Sequence, residues 1–155
     1  MLSLFVRRHG GFAQALQALN GNVAPSAYAG GAPYVPLAKN ATEQYITFDL
    51  IAPQTGTLKL TVIYAPSASN GGDVVFEADY VKTTAAGDPS GAITTQSSFT
   101  FTPGTGATLK SVTHATLQFS VAAGDHLFVK LSRKNSGSDT HTGSMNVLGV
   151  RAELV

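Results

Sequence analysis

From Gln44 onward the chain alternates apolar and polar residues with a period of two, and clusters of Gly, Pro, Asn and Ser interrupt the alternation. Successive side chains of a strand point to opposite faces, so this pattern predicts half-buried β-strands separated by turns. QYITFDLI over 44–51 places Ile46, Phe48 and Leu50 on one face, and TLKLTVIYA over 57–65 does the same for Leu58, Leu60, Val62 and Tyr64. DVVFEADYV over 73–81 sets Val74, Phe76, Ala78 and Tyr80 against Val75, Glu77, Asp79 and Val81. TTQSSFTF over 94–101 and ATLKSV over 107–112 read as shorter strands, and the alternation returns in ATLQFSV over 115–121. HLFVKLSR over 126–133 points Leu127, Val129 and Leu131 inward, and SMNVLGVRAELV closes the chain with Leu148, Val150, Ala152 and Leu154 on one face. About eight strands, with turn chemistry between them and no helical period, predict an all-β antiparallel sandwich of jelly-roll type over residues 43–155.

The first 42 residues differ. In FAQALQALNG, Phe12, Leu16 and Leu19 fall at i, i+4 and i+7, which predicts a short helix over about 11–20 with Asn20-Gly21 as its stop. Beyond it, Pro25, Pro33 and Pro36 interleave with Tyr28 and Tyr34, a composition that favours extended chain. Residues 1–42 therefore read as an N-terminal arm. It holds Arg7, Arg8 and Lys39 and no acid, whereas the remainder is mildly acidic.

Composition narrows the function classes. Charged residues are 12% of the chain, about half the usual share, and the net charge is +1, so no basic field gathers nucleic acid. Cysteine is absent, which removes disulfides, thiolate nucleophiles and cysteine-ligated zinc. MLSLFVRRHGG places a five-residue apolar run before its arginines, the reverse of a secretory signal, and no apolar run approaches the roughly 18 residues that span a bilayer. The expectation is a protein without a cleaved export signal and without a membrane partner.

Catalytic constellations are fragmentary. His9, His114, His126 and His141 show no metal-ligand spacing, and no cofactor is implied. SGSDTHTG over 136–143 holds Ser, Asp and His close in sequence, but triads draw their members from distant segments, so Asp139 and Thr140 are expected to close a turn with His141 in solvent. SNGGD over 69–73 lacks the alternating carboxylates of a calcium loop, and PGTGATLKS over 103–111 has Leu109 where a phosphate loop needs glycine. There is no Trp to stack on sugars, and Tyr64 and Tyr80 continue the inward faces of their strands. The chain is expected not to be an enzyme; a carbohydrate- or receptor-binding role stays open.

The segments ITFDLIAPQTGTLKLTVIYAPSASNGGDVVFEADYV, AGDHLFVKLSR and SDTHTGSMNVLGVRAEL carry a further pattern: a strand ending in Tyr64, Gly72-Asp73 opening the next, Gly124-Asp125 with Leu127 starting a strand that ends in Arg133, and Asp139-Thr140 leading to the last strand. This resembles the small β-sandwich of structural proteins in tailed bacteriophages. The resemblance covers residues 43–155 and implies a virion protein, most like a capsid decoration or cement protein. Such a protein sits as a homotrimer on the capsid surface, binds the major capsid protein or other virion proteins through its arm, and is made in the host cytoplasm. The residues expected to make that contact are Leu2, Leu4, Phe5, Arg7, Arg8, Phe12, Leu16 and Leu19. The alternative is a tail spike, fibre or adaptor component whose sandwich binds a receptor or carbohydrate.

Overall fold

Residues 13–15, 18–22, 24, 26–40, 42–67, 71–84, 87 and 92–155 are described by a computed structural model, and within 13–21 the backbone alone. Among them twelve strands build two six-stranded antiparallel sheets: β1 (Ala13–Ala15), β2 (Ala18–Gly21), β3 (Ser26–Ala27), β4 (Pro33–Leu37), β5 (Gln44–Ile51), β6 (Gly56–Pro66), β7 (Val74–Thr83), β8 (Thr94–Thr95), β9 (Phe99–Phe101), β10 (Lys110–Val121), β11 (His126–Arg133) and β12 (Met145–Leu154). One sheet runs β10–β6–β12–β4–β3, with β1 also on β12. The other runs β2–β5–β11–β7–β8, with β9 also on β7. No helix occurs among the described residues, so the all-β jelly-roll-like sandwich stands.

The core lies between the sheets and is built by the alternating residues. Ile46, Phe48 and Leu50 of β5, Leu127, Val129 and Leu131 of β11, and Val74, Phe76 and Ala78 of β7 face Leu58, Leu60, Val62 and Tyr64 of β6. Burying such side chains contributes roughly 1.5–3 kcal/mol each, which is why the period-two signal specifies the register so strongly.

Three expectations need correction. The helix expected over 11–20 is not seen where the chain is described: Ala13–Ala15 pairs with β12 and Ala18–Gly21 with β5, while 11, 12, 16 and 17 lie outside the described residues. A ten-residue helix is marginal by itself, and the two sheet edges offer backbone partners instead. Residues expected in an extended arm also enter the sandwich, because Pro33–Leu37 pairs with β12 and buries Val35 and Leu37 in the core. In the last strand the register slips by one residue at Leu148: Val147 faces Tyr64 and Gly149 faces Ile63. This β-bulge reverses the phase of the strand. Met145 and Val147 before it, and Val150 and Ala152 after it, point into the core, and Leu148 does not belong to that face.

Two further strands differ in extent. Only the last three residues of ATLKSV join ATLQFSV in β10, through a register shift between Thr113 and Gln118, and TTQSSFTF divides into β8 and β9 along one edge of β7.

Candidate functional site

The polar loop between β11 and β12 is a structural knot. Arg133, its side chain fully buried, donates from Nε to Asp139 Oδ2 at 2.8 Å and from Nη2 to Asp139 Oδ1 at 2.7 Å. Its remaining N–H groups reach the carbonyls of Leu37, Gly143 and His141. Asp139 Oδ2 also accepts from the Val75 N–H, and the Asp73 carbonyl accepts from the N–H groups of Thr140 and His141. A guanidinium has five donors in a fixed fork, and here each face of it is answered, which is the condition for burying the charge. The loop thereby closes over the end of β7.

His141, expected in solvent, is fully buried, and Asp139 is spent on Arg133 instead of orienting the imidazole. His141 Nδ1 lies 3.1 Å from the Gly143 N–H, so Ser136, Asp139 and His141 form no proton relay. Asp73 Oδ1 accepts from the Thr102 hydroxyl at 2.6 Å, Gly104 and Gly106 adopt positive φ, and Lys110 Nζ donates to the Thr105 carbonyl. Among the described residues no group of three or more His, Asp or Glu is placed to hold a metal ion. Tyr64 is buried and Tyr80 packs edge-on against Phe119, as the alternation predicts.

Of the residues expected to contact a partner, Leu2, Leu4, Phe5, Arg7, Arg8, Phe12 and Leu16 lie outside the described residues. Leu19 falls in β2, whose backbone pairs with β5 of this same chain.

A concave site lies on the outer face of β5, β11 and β7. Alternation turns His126, Phe128 and Lys130 of β11 outward, opposite the inward Leu127, Val129 and Leu131. In register, Phe128 sits between Asp49 and Val81, and Lys130 between Thr47 and Asp79. A groove of about 280 Å3 runs over these rows, walled on one side by Ile93, which is 70% exposed. The Phe128 ring stacks on His126 with centroids 4.4 Å apart, and His126 Nε2 is fixed 2.8 Å from Asp49 Oδ2. Asp79 presents Oδ2 to Lys130 at 3.2 Å, while its Oδ1 is shut from solvent and has no partner. The site therefore combines an anchored aromatic ring, apolar walls from Val81 and Ile93, and the paired charges of Asp79 and Lys130.

Charge at one end of this face is organised by Glu43, which accepts from Lys130 at 2.7 Å and Lys134 at 2.5 Å; Lys134 also reaches Glu77 at 2.8 Å, and Lys130 lies 5.1 Å over the Tyr45 ring. Burial pushes the Glu43 carboxyl up, but the hydrogen bonds from the two lysines outweigh it and hold the group below its ordinary value. Burial works against the Lys130 ammonium, and Glu43 and Asp79 overcome it, so this lysine is raised. Lys134 is raised by its hydrogen bonds to Glu43 and Glu77.

Phe128 was within reach of sequence reasoning. An outward aromatic between the inward Leu127 and Val129 is a departure from the polar outer face the alternation otherwise gives. Its company of Asp79 and Ile93, from strand β7 and the loop before β8, depends on sheet order and had no local signal.

No protein-family model matches the chain, and no curated protein matches it either. Solved structures do. The chain is similar to a CBM35 of Abf62 from Cellvibrio japonicus, with a TM-score of 0.58 at 16% identity over 91% of this chain and 92% of that one. It is similar to a family 35 carbohydrate-binding module from an environmental isolate, with a TM-score of 0.57 at 17% identity and 91% of each chain covered. A third is the C-terminal CBM6 of a marine laminarinase from Zobellia galactanivorans, with a TM-score of 0.53 at 16% identity over 88% of this chain and 92% of that one. At these identities the likeness establishes the β-sandwich fold.

Proposed function

We propose that the chain is a non-enzymatic binding protein whose sandwich recognises a carbohydrate in the groove over Phe128. The observation that carries this is an anchored aromatic face flanked by charge in one groove: Phe128 stacked on His126, with Asp79 and Lys130 lining the same groove. A sugar ring has one face of C–H groups that packs on an aromatic plane and a rim of hydroxyls that needs acceptors and donors. Phe128, Asp79 and Lys130 supply both kinds of contact within one groove. The two family 35 structural neighbours are carbohydrate-binding modules, which supports the same reading. The test is electrophoresis of the full chain through gels containing laminarin, galactomannan, xylan or dextran. Retardation by at least one of them, abolished by Phe128→Ala, supports the proposal; unretarded migration in all four, or equal retardation of the variant, contradicts it.

The second reading is the virion setting, as capsid decoration or as tail component. It is favoured by the pattern of Tyr64, Gly72-Asp73, Arg133 and Asp139-Thr140, and by an acid-free start in which Leu2, Leu4, Phe5 and Phe12 flank Arg7 and Arg8. Most residues of that pattern meet in the Arg133 knot, so the pattern speaks for the fold before it speaks for the setting. Deleting residues 1–12 tests the setting: in this reading the variant stays folded and no longer co-sediments with particles lacking the native protein.

A further inference from the structure

On the opposite sheet the outer face of β10, β6 and β12 holds a second groove, of about 270 Å3, walled by Ile63 and the 66% exposed Leu109. The bulge at Leu148 is what brings Arg151 to this face, since it reverses the phase of β12. Pairing registers Arg151 with Thr61 and Thr61 with Thr113, and the next row on this face holds Ile63 with Ser111. Thr61 and Thr113 join their hydroxyls at 3.1 Å. The first of these rows therefore aligns a guanidinium with two hydroxyls, and Ser111 adds a third one row away.

Arg151 makes no side-chain hydrogen bond or ion pair among the described residues, and its Nε is buried without an acceptor. Glu153, two residues on, is not within ion-pair distance of it. Lys110 lines the same groove, and among the described residues its ammonium is held by the Thr105 carbonyl. Lys82, Lys130, Arg133 and Lys134, by contrast, each meet a carboxylate. A buried guanidinium donor without a partner is costly, and a planar fork beside hydroxyls is suited to an oxyanion whose oxygens point in several directions.

We infer that this groove binds a tetrahedral oxyanion, a sulfate or phosphate group, through Arg151 with the hydroxyls of Thr61, Thr113 and Ser111. Leu109 and Ile63 would carry the apolar part of the molecule that bears the group. The site lies on the sheet opposite the Phe128 groove and does not depend on that groove binding sugar.

The experiment is a titration of the 15N-labelled full chain with sodium sulfate, with sodium phosphate, and with a sulfated polysaccharide against its desulfated counterpart, at constant ionic strength. Saturable shifts of the Arg151, Thr61 and Ser111 amides are expected, weakened about tenfold or more by Arg151→Gln, unchanged by Phe128→Ala, and partly retained by Arg151→Lys. Response to the inorganic ions alone makes the source a free ion, and a stronger response to the sulfated polysaccharide makes it an ester group on a glycan; both support the site. Absence of shifts with all four probes, or shifts indifferent to Arg151→Gln while the variant keeps the native spectrum, overturns it.

Discussion

Arg133 and Asp139 are joined by two parallel hydrogen bonds, 2.8 Å and 2.7 Å long, with neither side chain exposed to solvent. They stand six residues apart in sequence, one at the end of β11 and the other in the following loop, and the pair fixes that loop against Val75 and Leu37. Removing one partner leaves an uncompensated buried charge. Arg133→Leu is expected to cost about 3–5 kcal/mol of stability, read by chemical denaturation. A loss under about 1 kcal/mol would mean that the pair behaves as an exposed one.

Gly72 sits where a side chain cannot fit. A Cβ there would lie 2.6 Å from the Thr140 carbonyl carbon and oxygen and 2.7 Å from the His141 nitrogen, all of them backbone. Gly72→Ala is expected to destabilise by about 1–3 kcal/mol, lowering the melting temperature with the strand content unchanged by circular dichroism. Gly71→Ala, which meets nothing within 4 Å, is the control.

The core boundary runs through the segment expected to be an arm. Leu37 has no exposed surface, so Leu37→Ala is expected to cost about 2–5 kcal/mol, and deletion of residues 1–40 removes β4 with both Val35 and Leu37. That deletion is expected to yield unfolded or insoluble protein. A soluble, cooperatively melting fragment would show that β4 is dispensable.

Stability should fall at both ends of the pH scale through the Glu43 cluster. Glu43 is lowered from its ordinary 4.5, so its contribution is complete above that value and is lost as pH falls through the lower folded value. Lys130 and Lys134 are raised from 10.5, so their contribution is complete below that value and is lost as pH rises through the higher folded ones. Glu43→Gln is expected to lower the melting temperature at pH 7 and to flatten the acid limb below pH 4.5. An unchanged acid limb in the variant would assign the acid sensitivity to other carboxylates.

Much of the sandwich was written in local alternation, because each core strand buries every second residue. What alternation cannot show is where the period breaks. The extra residue at Leu148 moves Met145 and Val147 into the core and takes Leu148 off that face, and nothing in VLGVR distinguishes a bulge from regular strand. The spacing of Phe12, Leu16 and Leu19 fits a helix as a pattern of three positions, but Ala13–Ala15 and Ala18–Gly21 meet the edges of two sheets that exist only in three dimensions. SGSDTHTG carries good turn residues, and the burial of Asp139 and His141 within it follows from Arg133, a charge at a strand end that needed a carboxylate. Phe128, Lys130 and Arg151 were legible as outward positions or as types; their grooves were not, since each is assembled from strands distant in sequence.

The central claim is that the groove over Phe128 holds a sugar. The most direct measurement is a 15N–1H titration of the full chain with oligosaccharides of laminarin, galactomannan, xylan and dextran. Saturable shifts at Thr47, Asp79, Val81, Phe128 and Lys130 with at least one of them are predicted, with affinity falling about tenfold or more in Phe128→Ala. Shifts confined to other surfaces, or a response that Phe128→Ala leaves intact, would contradict it.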